Sequence, residues 1–319
     1  MSRVVVLGNA TVDLIQRVPN LPRPGETLLS GPVQRCAGGK GLNQAVAAAR
    51  TGASVILVAA IGQDENAGFL TNALKGEAGL AVHWLECDSA TDISSIWVSA
   101  EGENMILSTA ECATALTPHD AQTVAAGLSP GDHLLMQGNL NSLTTAEAAR
   151  TARANGAIAV LNTAPIAWDL QSVLGMFDCV IANEVEAAML AGGDAAHFWP
   201  ALKAFDVATA ILTVGARGAR LFTGDVDVMI PAPRNHSPDD RVVDTAGAGD
   251  VLVGTFVGLM AQGRSLRDAA RIAVATASLS VTRCGTLPSF PTREEIEYLQ
   301  ARLLEESTDL GPNIAGRAG

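Results

Sequence analysis

Six short runs rich in Val, Ile and Leu constrain this chain more than any other feature. They lie at Arg3–Gly8, Ser54–Ile61, Asp132–Met136, Ala157–Asn162, Cys179–Ala182 and Ala210–Val214. Each is apolar without alternation, so each predicts a strand covered on both faces. Ala-rich stretches of helical length separate them: Asn43–Thr51, Ala67–Glu77, Thr144–Asn155, Glu184–Ala191 and Phe198–Phe205. Strands that alternate with helices in this way predict an α/β sandwich with a mainly parallel central sheet. From Leu266 to Leu304 the pattern is mostly helical, with a break at Gly285–Pro291.

Two stretches interrupt that rhythm. Ile15–Gln34 carries Pro19, Pro22, Pro24 and Gly25, and Ile93–Ser108 reads as a hairpin turning at Glu101-Gly102-Glu103-Asn104. Both fit short antiparallel strands, which predicts a small second sheet inserted into the first. The expected division is therefore an α/β body of residues 1–14, 35–92 and 109–306, a small β-unit of 15–34 and 93–108, and a frayed tail at 307–319.

Composition removes several classes of function. The net charge is −12, the wrong sign for attraction to nucleic acid or an anionic membrane. No run approaches a membrane span, and the N-terminus enters Val4-Val5-Val6-Leu7 without a signal-like region, which predicts the cytoplasm. The 5 cysteines and 5 histidines are scattered, with no Cys-x-x-Cys, so neither a disulfide framework nor a zinc site is expected.

Two glycine-bearing segments carry the chemistry. In Asp244-Thr245-Ala246-Gly247-Ala248-Gly249-Asp250 a small-residue loop runs into an apolar helix. Unhindered N–H groups at such a start form an anion site, reinforced by the helix dipole. The same field keeps a carboxylate at Asp250 ionised, making it a weak base of the kind phosphoryl transfer to an alcohol tolerates. Ordinary helix capping explains the same residues. The second segment, Gly38-Gly39-Lys40-Gly41-Leu42-Asn43-Gln44, is not a P-loop: Gln34 stands where its first glycine belongs, and Gly41 where its Ser or Thr belongs. Its glycines permit close ligand approach, Lys40 reaches a phosphate, and the Asn43 amide both donates and accepts. A tight turn before a helix is the plainer alternative.

Together, about 200 residues apart and in this order, the two segments resemble the two signatures of the PfkB carbohydrate-kinase family, most closely its ribokinase branch. The likeness extends to Pro24-Gly25-Glu26-Thr27, Glu101-Gly102-Glu103-Asn104, Thr213-Val214-Gly215-Ala216-Arg217-Gly218 and Pro288-Ser289-Phe290-Pro291. It implies a ribokinase-like three-layer sandwich with a small β-lid, often also a homodimer interface, and ATP-dependent phosphorylation of a primary hydroxyl of a sugar. Asp250 would be the base, and the N–H groups of Gly247, Ala248 and Gly249 the anion hole. Asp13, Gly39 and Asn43 would bind sugar hydroxyls, with Lys40 on ATP or product phosphate. Thr213, Gly215 and Gly218 would follow the nucleotide. Asn183 and Glu186 would serve the Mg²⁺ and phosphate environment through water, although the same pair spells a capping box. A monovalent-cation site, expected to take K⁺, would use the side chains of Asp244 and Ser289 and the carbonyls of Ala246, Ser280, Arg283 and Gly285.

The chain departs from the ribokinase pattern in three places. Asn139 stands where ribokinases usually aim a Glu at ribose, and an amide donates as well as accepts. Thr11 replaces an Asn two residues before Asp13, while Asn9 lies four before it, a spacing similar to that of nucleoside kinases. Asn9, Thr11 and Asn139 are thus candidate substrate contacts that read a hydroxyl pattern other than that of ribose. The polar loop at 234–241 reads as a solvated insertion, with a nucleotide contact as the alternative. Two rival functions follow: a nucleoside kinase, whose aromatic slot Trp97 would supply, and a non-catalytic sugar- or nucleotide-binding protein on the same fold.

Overall fold

The computed structural model describes residues 2–101, 103–233 and 241–308. The expected turn at Gly102, most of the 234–241 loop and the tail from 309 onward lie outside the described residues.

The main sheet has nine strands in the order β13-β12-β11-β10-β9-β8-β1-β4-β5. The apolar runs supply β1 (Val4–Leu7), β4 (Val55–Ile61), β8 (His133–Gln137), β9 (Ile158–Asn162), β10 (Cys179–Asn183) and β11 (Thr209–Thr213). All their mutual pairings are parallel. The alternation of side chains divides each strand between two cores. Val4 and Val6 join one with α1 (Lys40–Arg50), α8 (Ala248–Ala261) and α9 (Leu266–Ser280). Val5 and Leu7 join the other with α4 (Pro118–Ala126), α5 (Ser142–Ala154), α6 (Glu184–Leu190) and α7 (Phe198–Lys203). Two buried faces explain why these strands read as unbroken apolar runs. The remaining helices are α2 (Glu65–Ala73), α3 (Glu111–Ala115) and α10 (Arg293–Thr308).

Three strands of this sheet carry weaker signals. β5 (Leu80–Glu86) is an edge strand, half-buried at Leu80, Val82, Trp84 and Leu85 and exposed at Ala81, His83 and Glu86. β12 (Gly218–Thr223) and β13 (Val226–Pro231) add an antiparallel hairpin at the other edge. Its two-residue turn, Gly224-Asp225, is a hairpin signal that a search for longer apolar runs passes over.

A separate four-stranded sheet has the order β3-β2-β6-β7. It contains β2 (Thr11–Arg17), β3 (Gln34–Gly38), β6 (Ile93–Val98) and β7 (Asn104–Ser108). The boundaries expected at 14/15 and 34/35 fall inside β2 and β3. The Pro-rich interval between β2 and β3 forms no strand, and β2 pairs parallel with β6, so the expectation of purely antiparallel strands needs correcting.

Cys87 and Cys112 lie side by side, with Cα atoms 6.0 Å apart. They bracket the segment that carries β6 and β7, a proximity that sequence spacing does not reveal. Among the described residues, no helix is long and apolar enough to cross a membrane.

Candidate active site

Asp250 sits in the first turn of α8, only 7% exposed. Its position depends on how closely α8 lies on α1. A Cβ at Gly254 would come within 2.7 Å of the Ala47 Cβ, and one at Gly258 within 2.8 Å of the Ala48 carbonyl. Only hydrogen at those positions lets the helix axes approach. The approach brings two amides of α1 onto the carboxylate: Asn43 Nδ2 donates to Oδ2 at 3.0 Å and Gln44 Nε2 to Oδ1 at 2.9 Å. Lys40 Nζ lies 4.0 Å from Oδ1. Gly39, at φ 94°, sets the start of α1, so the helix begins at Lys40 rather than near Asn43. The Asn43 Oδ1 atom is buried and has no partner among the described residues.

The second carboxylate comes from the small sheet. Asp13 on β2 is 4% exposed. Burial pushes its carboxyl up to about 6, and the Asp250 charge acts in the same direction, while hydrogen bonds from Thr11 and Ser94 oppose the shift. Thr11 lies beside Asp13, and its buried hydroxyl donates to Asp13 Oδ1 at 2.8 Å. Asn9 also has a structural task. Its Oδ1 accepts from the Gly41 N–H at 3.1 Å, and its backbone carbonyl accepts from the Leu42 N–H at 3.0 Å, tying off the start of α1. The Trp97 expectation is overturned. On β6, Ser94 pairs with Asp13 while Trp97 pairs with Gln16, so the indole lies on the opposite face from Asp13. It donates to Gln16 Oε1 at 3.1 Å.

The remaining candidates lie along the carboxyl ends of the parallel strands, where open α/β sheets place ligands. Gln137 is in register with Asn162, and Asn183 with Thr213. Asn139 follows β8 by two residues, and both its polar side-chain atoms are shielded from solvent without a partner among the described residues. Asn183 caps α6 in a capping box with Glu186. The Glu186 carboxylate accepts from the Thr163 hydroxyl at 2.8 Å and from Asn183 Nδ2 at 2.8 Å. Gly215 and Gly218 take φ of 58° and 104° in the turn from β11 to β12. The Arg217 of that turn forms an ion pair with Glu184 at the start of α6.

At the head of α8, Gly247 is left-handed at φ 76°, and the first i−4 bond runs from the Val251 N–H to the Gly247 carbonyl at 2.9 Å. The Ala248 N–H turns back to the Thr245 carbonyl at 3.3 Å, a long bond that an anion would displace readily. Asp244 joins this loop to the segment after α9. Its Oδ1 accepts from the Ala246 N–H at 2.9 Å and its Oδ2 from the Gly285 N–H at 3.0 Å. Ser289, 1% exposed, donates to the Thr286 carbonyl at 2.7 Å, leaving its own lone pairs unspent. Thr286, not singled out from the sequence, adds a buried hydroxyl with no partner among the described residues. Among the described residues, no group of three or more His, Cys, Asp or Glu is placed to hold a metal ion. A Mg²⁺ bound near Glu186 would therefore take most of its ligands from phosphate and water.

A family model for pfkB family carbohydrate kinases matches residues 1–293. The ribokinase of Haemophilus influenzae is 33% identical over 305 residues, covering 93% of this chain and 98% of that one. The deoxyribokinase of Salmonella typhimurium is 31% identical over 309 residues, covering 93% and 98%. Among solved structures, Arabidopsis thaliana ribokinase complexed with ribose and ATP superposes with a TM-score of 0.82 at 25% identity, covering 94% of this chain and 99% of that one.

Proposed function

The chain belongs to the pfkB family of carbohydrate kinases and is an ATP-dependent sugar kinase of its ribokinase-like branch; from that premise we propose that Asp250 takes the proton of a primary sugar hydroxyl as its oxygen attacks the γ-phosphorus of ATP. The observation that carries this reading is the Asp250 carboxylate, buried at a helix N-terminus and aimed by the amides of Asn43 and Gln44. A new O–P bond forms, the bond from the γ-phosphorus to the bridging oxygen breaks, and ADP leaves. The transition state is loose, so the proton moves late and a weak base suffices. The N–H groups of Gly247, Ala248 and Gly249 and the Lys40 ammonium stabilise the transferring charge. Glu186 would orient the water shell of Mg²⁺, whose charge would neutralise the phosphates when bound. Thr213, Gly215, Gly218 and Asn183 border the nucleotide.

Asp13, Asn43 and Asn139 read the sugar. Asn43 retains one unspent buried oxygen and Asn139 a whole unspent amide. Such atoms reject a wrong hydroxyl pattern because they then stay unpaired. The chain has an amide where ribokinases place a carboxylate, so the preferred acceptor differs from D-ribose. A coupled assay over pentoses, deoxypentoses, hexoses, sugar acids and nucleosides tests both claims. D-Ribose should show kcat/KM at least ~10-fold below the best acceptor, about 1.4 kcal/mol. Asn139→Glu should move preference toward ribose. A parent enzyme that prefers ribose removes position 139 from specificity, and the absence of acceptor-dependent ADP formation removes the kinase reading.

Asp244, Ser289 and the nearby carbonyls would hold K⁺, and that charge would order the loop before Asp250. Its cause is geometric, because Asp244 ties the two segments together. Activity should rise when K⁺ replaces Na⁺ at constant ionic strength; equal rates in Na⁺, K⁺ and a bulky organic cation exclude such a site.

The small sheet acts as a lid over the sugar and as a homodimer contact. Its edge strand β7 exposes Met105, Ile106 and Leu107, the last at 74%. An uncovered apolar edge of this kind invites pairing with a second copy. A light-scattering mass of one 32.8 kDa chain at assay concentration counts against it. Its use of ATP supports a cytoplasmic location.

A further inference from the structure

We propose that Gln44 is a positioning residue for phosphoryl transfer: a chain of buried amides from Gln137 through Gln44 sets the direction in which the Asp250 carboxylate faces the acceptor hydroxyl. The proposal rests on Asp250 being the base. Gln44 and Gln137 are both 0% exposed. Gln44 Nε2 donates to Asp250 Oδ1 at 2.9 Å and to Asn162 Oδ1 at 3.0 Å, and its own oxygen accepts from Gln137 Nε2 at 2.9 Å. Asn162 Nδ2 in turn donates to the Ile181 carbonyl at 3.2 Å.

Hydrogen-bonding capacity gives this chain a single arrangement. An ionised carboxylate only accepts, so Gln44 must turn its NH₂ toward Asp250. Both of its hydrogens are then committed, and its oxygen is left for Gln137. Rotating the Gln44 amide would face an oxygen toward two acceptors and strand a donor of Gln137. Buried away from water, each such mismatch is costly. The anchors of the chain are sheet residues: Gln137 ends β8 and Asn162 ends β9. Asp250, by contrast, stands one turn beyond a glycine-rich loop. Gln44 thus transfers the rigidity of the sheet to a carboxylate on a helix end. Asn43 cannot do this alone, because its free oxygen is the atom offered to substrate.

The experiment compares Gln44→Leu and Gln137→Leu with the parent, with thermal melts alongside. Gln44→Leu should lower kcat about 10- to 100-fold, the range for losing one hydrogen bond to a charged group, with both KM values within about threefold. Gln137→Leu leaves the donor but not its brace and should lower kcat by a smaller factor. In an Asp250→Asn background, Gln44→Leu should cost nothing further, because its route to the reaction is gone. A folded Gln44→Leu enzyme with kcat within about twofold of the parent overturns the proposal, as does an undiminished loss in the Asp250→Asn background. Normal turnover by Asp250→Asn itself would instead locate the failure in the base assignment, and the proposal falls with it. Should Gln44→Leu not fold, Gln44→Glu decides. Two adjacent carboxyls share a proton more readily as pH falls, and only the protonated Glu donates as Gln44 does. Its kcat at saturating sugar should rise from pH 8 to 6 while that of the parent does not; a flat profile overturns the proposal.

Discussion

Asp250→Asn should lower kcat by at least ~10², the lower range for removing a general base, with nucleotide affinity little changed. The substitution keeps the size of the side chain but removes its capacity to take a proton. The surroundings add to the loss. Two amide donors converge on this carboxylate, Asn43 Nδ2 on one oxygen and Gln44 Nε2 on the other. An Asn side chain offers one acceptor where two are needed, so its NH₂ meets another NH₂. Gln44 cannot rotate to relieve this, because its oxygen is held by Gln137. Single-turnover kinetics should therefore show a slow chemical step, while calorimetry with a non-hydrolysable nucleotide shows near-parental binding. Near-normal turnover by the purified variant would remove Asp250 from the role.

Asp13→Asn should produce opposite effects on function and stability. Asp13 is held up to about 6 mainly by burial. The folded state thus binds a proton more tightly than an unfolded carboxyl does. Its contribution to stability is present at low pH and is lost as pH rises through about 6. Above that pH the fold carries a buried charge costing on the order of 1–3 kcal/mol, which an uncharged isostere avoids. Thr11 can still donate to the Asn oxygen, so Asp13→Asn should raise the apo-protein's Tm by a few degrees at pH 8. Sugar binding responds the other way, since hydroxyls donate to the ionised form. For the parent, kcat/KM for sugar should fall about tenfold per unit of pH below about 6, chiefly through KM. For Asp13→Asn it should be lower by at least ~10² at pH 8 and lose that acid limb. Loss of sugar affinity together with a lower Tm would mean that Asp13 serves the fold. An unchanged acid limb would assign the titration to another group.

The sequence by itself determined the elements whose signals are local. An apolar run such as Val4–Leu7 predicts a strand because both of its faces are covered. The small-residue segment ending at Asp250 predicts a helix start because N–H groups emerge there whatever packs around them. The same locality explains why both glycine segments were legible as phosphate- and sugar-binding candidates. Edge elements were harder to read, since β5 is covered on one face only and lacks the unbroken apolar run of the central strands. Only the tertiary structure decided which side chains meet. Asn43 and Asp250 are separated by 207 residues, and they touch because the glycines of α8 admit α1. The pairing of Trp97 with Gln16 is a matter of strand register, and one residue of slip would have turned the indole toward the sugar. Thr11 gives its hydroxyl to Asp13, and Asn9 ties down α1, links that the family resemblance did not show. Gln44 closes the second glycine segment but had no role assigned to it there, and its three partners lie on three different elements. Backbone conformation follows from a residue and its near neighbours. Hydrogen-bond partnership, register and burial at the site depend on segments that the fold alone brings together.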